Sequence, residues 1–100
     1  MAIVEISIIP LGTPTPSVSK YVAASFEVLK LKGSNLEYKL TPMGTVIEGD
    51  LDVILPVVRQ MHEACFKNGI KRVVTLVEID DRRDKTATME DKIQSVLQKL

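Results

Sequence analysis

The stretch TPMGTVIEGD, from Thr41 to Asp50, places Thr45 and Glu48 between two turn signals. A hydroxyl that donates and accepts, beside a carboxylate that accepts, suits a ligand carrying an amine and a ring nitrogen. The plainer reading is a hairpin with an ordinary surface glutamate. His62 and Cys65 are spaced i, i+3 and share a helix face, so the pair has the chemistry of metal ligands. Phe66, however, stands where the second histidine of H-E-x-x-H would be, and the chain has one His and one Cys in all. A structural zinc site of the usual type is therefore excluded within one chain. No metal and no cofactor are expected. Arg82 and Arg83, in IDDRRDK, carry guanidinium groups matched to phosphate or carboxylate. Against an anion site stands the bland reading, in which Arg82, Arg83 and Asp84 lock the loop or an intersubunit contact, and this structural role is favoured. PLGTPTP lacks the G-K-[ST] ending of a phosphate loop. No nucleophile–base pair is visible, so an enzyme is not expected.

These residues need elements to hold them. AIVEISII, Ala2 to Ile9, reads as a strand rich in β-branched residues, with Val4, Ile6 and Ile8 on one face and Ile3, Glu5, Ser7 and Ile9 on the other. Pro10 is expected to end it. Ser17 is the expected cap of a first helix bearing Val18, Val22, Phe26 and Leu29, stopped at Gly33. NLEYKLT and TVIEG read as two strands joined by PMG, hence an antiparallel hairpin. Asp50 or Asp52 caps a second helix with Leu51, Ile54, Val58, Met61 and Cys65 in period. Pro56 should distort its first turn, and Asn68-Gly69 closes it. KRVVTLVEID is a long fourth strand, DRRDKTAT a charged loop, and MEDKIQSVLQKL a last helix with Ile93, Val96, Leu97 and Leu100 inward.

The order is β-α-β-β-α-β with a C-terminal helix. That is an α+β, ferredoxin-like pattern, with the first strand between the third and fourth in an antiparallel sheet. Residues 1–100 suffice for a single domain. In the fourth strand Val73, Thr75, Val77 and Ile79 alternate with Val74, Leu76, Glu78 and Asp80, so neither face is polar throughout. The open sheet face is therefore expected to be buried against another subunit.

Thirteen basic residues balance thirteen acidic ones, which argues against nucleic acid or an anionic membrane surface as partner. No apolar run is long enough to span a membrane, and the first residues lack the basic region of a signal peptide. With a single cysteine, a cytoplasmic location is expected.

SIIPLGT, GTVIEG and RVVTLVEIDDRRDK occur in that order, with HEACFKNG before the last. Together they resemble the thiamine-binding protein family, the YkoF-like group, across roughly the whole chain. The resemblance implies the ferredoxin-like fold already read from the strand order. It implies dimers joined through their sheets and paired again into tetramers, and binding of thiamine or its hydroxymethylpyrimidine half without catalysis. It carries the ligand-binding role to Thr45 and Glu48, with Ser7 on the neighbouring strand. Met43 and Leu11 are the expected pocket wall. Strand parity sets Thr45 and Glu48 on opposite faces unless a bulge re-aims one of them. The aromatic residues are Tyr21, Tyr38, Phe26 and Phe66, and none is an evident stacking partner for a flat ring. Two other functions stay open: an effector-sensing regulatory or interaction module, and an enzyme on a small anionic substrate held by Arg82 and Arg83.

Overall fold

A computed structural model describes residues 1–100. Seven elements follow one another: β1 (Ala2–Leu11), α1 (Ser19–Lys32), β2 (Glu37–Thr41), β3 (Gly44–Gly49), α2 (Leu51–Phe66), β4 (Arg72–Asp80) and α3 (Met89–Leu97). The four strands form one antiparallel sheet in the order β2-β3-β1-β4, the split β-α-β arrangement expected from the sequence. No helix is long and apolar enough to cross a membrane.

The alternation in β1 decides which face is covered. Val4 and Ile6 are buried under α1 and α2 together with Ile47 of β3, Leu29 of α1, and Ile54, Val57, Val58 and Met61 of α2. Tyr21, Cys65 and Ile70 form a second small cluster beside Ile8 and Val73. The buried stripe of α1 is Tyr21, Ser25 and Leu29. It is rotated from the Val18–Val22–Phe26 stripe that apolarity alone suggests, with Val22 and Phe26 flanking it and Val18 exposed.

Four local expectations are corrected. Pro10 does not end β1: the strand continues to Leu11, and Pro10 pairs with Val73 of β4. β3 pairs with β1 only from Ala2 to Ile6, so beyond Ile6 one side of β1 has no neighbouring strand and a missing N–H is tolerated there. Ser17 does not cap α1. Val18 holds that position with no side-chain cap, and the Ser17 hydroxyl meets that of Ser19. Pro56 leaves α2 unbroken, and Asp50 caps the helix by accepting from the Asp52 N–H at 2.9 Å. Ile93, Val96, Leu97 and Leu100 are all exposed, and α3 has no buried residue.

α3 instead lies against the open face through polar contacts. The Met89 N–H donates to Glu48 Oε1 at 2.6 Å, Lys39 pairs with Glu90 at 2.9 Å, and Lys92 pairs with Asp80. One short helix is thus tied to β2, β3 and β4 at once.

Candidate ligand-binding site

The hairpin loop Pro42-Met43 joins β2 to β3, with Thr41 opposite Gly44. Thr41 Oγ1 accepts from the N–H groups of Met43 (3.2 Å) and Gly44 (3.1 Å), and donates to the Gly44 carbonyl at 2.8 Å. Gly44 sits hard against β1: a Cβ there would lie 2.7 Å from the Ile6 carbonyl oxygen and 2.9 Å from Ser7 Oγ. The Ser7 hydroxyl donates to the Met43 carbonyl at 3.0 Å and pins the turn to β1.

Past Ile6, β3 is gone while β1 continues, and a cavity of about 370 Å³ occupies that corner. Sixteen residues line it, among them Ser7, Ile9, Val22, Ser25, Phe26, Thr41, Met43, Thr45, Met61 and Leu76. None of the lining side chains is charged. Thr45 forms the floor at 5% exposure, and no buried side-chain oxygen or nitrogen in the chain lacks a partner. Ser25 is buried and donates to the Met61 carbonyl at 2.8 Å, tying α1 to α2 behind the cavity. Phe26 supplies an aromatic wall, held edge-on by Tyr38 with ring centroids 5.5 Å apart.

Of the residues expected at the site, Ser7, Met43 and Thr45 come together here. Glu48 does not. The register is regular, with Ile6 opposite Thr45 and Ile3 opposite Glu48, so no bulge reverses the parity. Glu48 lies on the open face at 7% exposure and binds the first turn of α3. A carboxylate at a helix N-terminus is held by free N–H groups and by the helix dipole, and this contact gives Glu48 a structural task. Leu11 is also outside the cavity: it ends β1 opposite Arg72 and is exposed.

Arg82 and Arg83 stand apart, lining clefts near Met1, Lys85 and Ala87. Arg82 donates to both carboxylate oxygens of Asp84, at 2.5 and 2.9 Å, and Arg83 donates to Asp81 at 2.7 Å. These guanidinium groups hold Asp84 and Asp81 below the usual carboxylate range. Both guanidinium groups are therefore engaged within their own loop.

His62 Nδ1 meets Thr75 Oγ1 at 2.6 Å, bridging α2 to β4, and its ring packs edge-on to Phe66. Burial pushes the Cys65 thiol up, which disfavours the thiolate. Neither residue lines the cavity. Ser25, Phe26, Thr41 and the cavity itself were not legible as site features in the sequence. The available signal was Ser25, a polar residue in register with Tyr21 and Leu29 on the buried stripe.

The α3 anchor carries its own prediction. Thr88 and Asp91 form a reciprocal capping box, both bonds at 3.0 Å. The backbone bond from Thr88 holds the Asp91 carboxyl below its usual range. A carboxyl with a lowered folded pKa stabilises above its unfolded value, about pH 4, and loses that contribution as pH falls through the folded value. Acidification from pH 5 to about pH 2 should therefore lower amide protection in α3, relative to intrinsic exchange at each pH, before protection in β1 falls. Simultaneous loss of protection in both would contradict this.

Comparison with known proteins agrees with this fold. The thiamine-binding protein family matches residues 4–97. The UPF0045 protein YqgV of Bacillus subtilis is 50% identical over 98 residues, covering 96% of this chain and 94% of that one. A UPF0045 protein of Methanothermobacter thermautotrophicus is 44% identical over 101 residues, with both chains covered completely. Among solved structures, a hypothetical protein of Methanocaldococcus jannaschii superposes with a TM-score of 0.85 at 43% identity, covering 95% of this chain and 94% of that one. A Thermotoga maritima protein assigned provisionally to thiamine biosynthesis or salvage shares the fold, with a TM-score of 0.76 at 20% identity over 95% and 97% of the two chains. By sequence match over nearly its full length, this chain belongs to the thiamine-binding protein family.

Proposed function

We propose that this protein binds the aminopyrimidine half of thiamine, without catalysis, in the cavity between the β2–β3 hairpin, β1 and α1. The observation that carries the reading is the lining: sixteen residues, none charged, with the hydroxyl-bearing residues Ser7, Ser25, Thr41 and Thr45 among apolar walls. Small-molecule pockets have this composition, and about 300–1,000 Å³ is their usual size. A flat neutral aminopyrimidine needs acceptors for its amine, a donor for a ring nitrogen and an apolar slot. Thr45 and Ser7 offer the polar groups, Phe26 the aromatic wall, and Met43 and Met61 polarizable thioethers.

The same lining distinguishes the two halves of thiamine. A thiazolium is a permanent cation, and burying a charge without a partner is costly. With Glu48 outside the lining, that half belongs at the mouth, beside exposed Met43 and Leu40. Hydroxymethylpyrimidine should therefore bind at least as tightly as thiamine. Thr45→Val, which keeps the volume and removes the hydroxyl, should weaken hydroxymethylpyrimidine binding about tenfold, corresponding to about 1.4 kcal/mol. Isothermal titration of both ligands into both proteins checks this. Equal affinity in the variant would remove Thr45 from the site. Formation of any new product from thiamine during prolonged incubation would contradict a purely binding role.

An oligomer and a cytoplasmic location belong to the same reading. The open face exposes Ile9, Val74 and Leu76, and α3 exposes Ile93, Val96 and Leu97, more apolar surface than a lone small chain ordinarily leaves bare. Dimers through sheet faces, paired again as tetramers, would cover it.

A further inference from the structure

Each hydroxyl has one proton to donate and two lone pairs to accept with, so the hydrogen-bonding capacity left in the cavity under the hairpin can be counted. Thr41 is saturated: it donates to the Gly44 carbonyl and accepts from the N–H groups of Met43 and Gly44. Ser7 gives its proton to the Met43 carbonyl at 3.0 Å, and Ser25 gives its own to the Met61 carbonyl at 2.8 Å. Nothing in the chain donates to either oxygen, so both are left as acceptors. Thr45 differs. Its hydroxyl has no partner in the chain, although the residue is 5% exposed. Every fully buried side-chain oxygen has a partner, so this one is open, and the cavity is what it opens onto.

Strand parity sorts these groups in space. Thr45 stands opposite Ile6, which packs in the core under α1 and α2, so Thr45 lies on the covered side of the sheet. Ser25 lies on the buried stripe of α1, towards that same side. Ser7 follows Ile6 in β1 and alternates with it, so it lies towards the open side, where it holds the hairpin. A serine inside a helix ordinarily bonds the carbonyl one turn back in its own helix. Ser25 bonds α2 instead. That fixes the direction of its proton and leaves its lone pairs free in the same cavity as the unpartnered Thr45 hydroxyl.

We propose that Ser25 is a specificity-determining residue of this cavity, the acceptor that reads the exocyclic amine of the ligand while Thr45 donates to the ring nitrogen beside it. This rests on the cavity holding an aminopyrimidine. It narrows the ligand to heterocycles that present a donor next to an acceptor on one edge, and it excludes the deaminated counterpart. There an oxo group replaces the amine and the neighbouring ring nitrogen gains a proton, so both positions invert. The oxo group meets Ser25 as one acceptor against another, because the Ser25 proton is held by the Met61 carbonyl. The protonated ring nitrogen still finds a partner in Thr45, since a free hydroxyl rotates to either role. Discrimination therefore falls on Ser25 and not on Thr45. Buried polar groups left without a partner are what make such sites reject close analogues. The apolar walls, Phe26 and Met61 among them, meet either ring alike.

Isothermal titration of hydroxymethylpyrimidine and of its deaminated counterpart into the wild type, Ser25→Ala and Thr45→Val tests this, with thermal melts to follow the fold. The wild type should prefer the amine at least about 100-fold. Ser25→Ala should lower that preference at least about tenfold, by weakening the amine and tolerating the oxo group. Thr45→Val should weaken both ligands and keep the preference within about threefold of the wild type. If Ser25→Ala fails to fold, Ser25→Cys, which puts a weak acceptor in place of the oxygen, is titrated the same way and must show the same fall in preference. A Ser25 that only staples α1 to α2 gives a different result: its loss lowers Tm and weakens both ligands together, with the preference intact, and that would overturn the proposal. Equal affinity for the two compounds in the wild type would overturn it too, while leaving the aminopyrimidine site standing. Binding of neither compound by the wild type would overturn that site and the proposal with it.

Discussion

Glu48→Ala should free α3 while leaving the affinity for hydroxymethylpyrimidine within about twofold, because Glu48 does not line the cavity and stands opposite Ile3, four residues along β1 from Ser7. The lost bond joins a backbone N–H to a charged group at 2.6 Å, and such bonds contribute about 1.5–3 kcal/mol. Little else holds the helix. It buries no side chain, and its remaining ties are the exposed pairs Lys39–Glu90 and Lys92–Asp80. Surface pairs of this kind contribute about 0–1 kcal/mol each. The Met89 amide should therefore exchange with solvent orders of magnitude faster in the variant, and a protease should cut between Asp81 and Thr88. Binding lost with α3 still protected would return Glu48 to the site.

The hairpin side of the sheet gives the other large effect. Gly44→Ala puts a Cβ 2.7 Å from the Ile6 carbonyl oxygen and 2.9 Å from Ser7 Oγ. The first of these is backbone and has no rotamer to yield. Accommodation means moving the turn away from β1, which breaks the Ser7–Met43 bond and opens the cavity floor. Overpacking of this kind costs about 1–3 kcal/mol, a fall in Tm of roughly 5–20 °C for a chain this size. Ligand affinity should drop at least about tenfold, since the polar groups of the site sit on both sides of that gap. A variant with wild-type Tm and wild-type binding would show that the hairpin does not bear on β1.

Much of this arrangement was legible in the residues. The alternation of Val4, Ile6 and Ile8 with Glu5 and Ser7 set the covered face of β1. The β-α-β-β-α-β order set the strand order. Parity alone separated Thr45 from Glu48, and the regular register confirms it. What the sequence hid were consequences of where strands stop. Pro10 reads as a terminator, yet β3 has already ended at its level and β1 can pass. The corner so created is the cavity, and no local pattern announces a gap between two elements far apart in sequence. Ser25 was hidden for a related reason: apolarity places the α1 stripe at Val18, Val22 and Phe26, whereas packing against α2 turns Tyr21 and Ser25 inward. α3 has a plainly amphipathic sequence, but its apolar side faces solvent in the single chain. Periodicity shows that such a side needs covering and is silent on whether the cover lies within the same chain.

On the proposed function, a neutral aminopyrimidine occupies the uncharged corner under the hairpin. The measurement that bears on it most directly is a titration of hydroxymethylpyrimidine followed by amide chemical shifts in the ¹⁵N-labelled protein. Saturable shifts are expected at Ser7, Gly44, Thr45 and Ser25, with Asp81 to Lys85 unmoved. Shifts confined to Arg82, Arg83 and their neighbours, or none at saturating ligand, would contradict it.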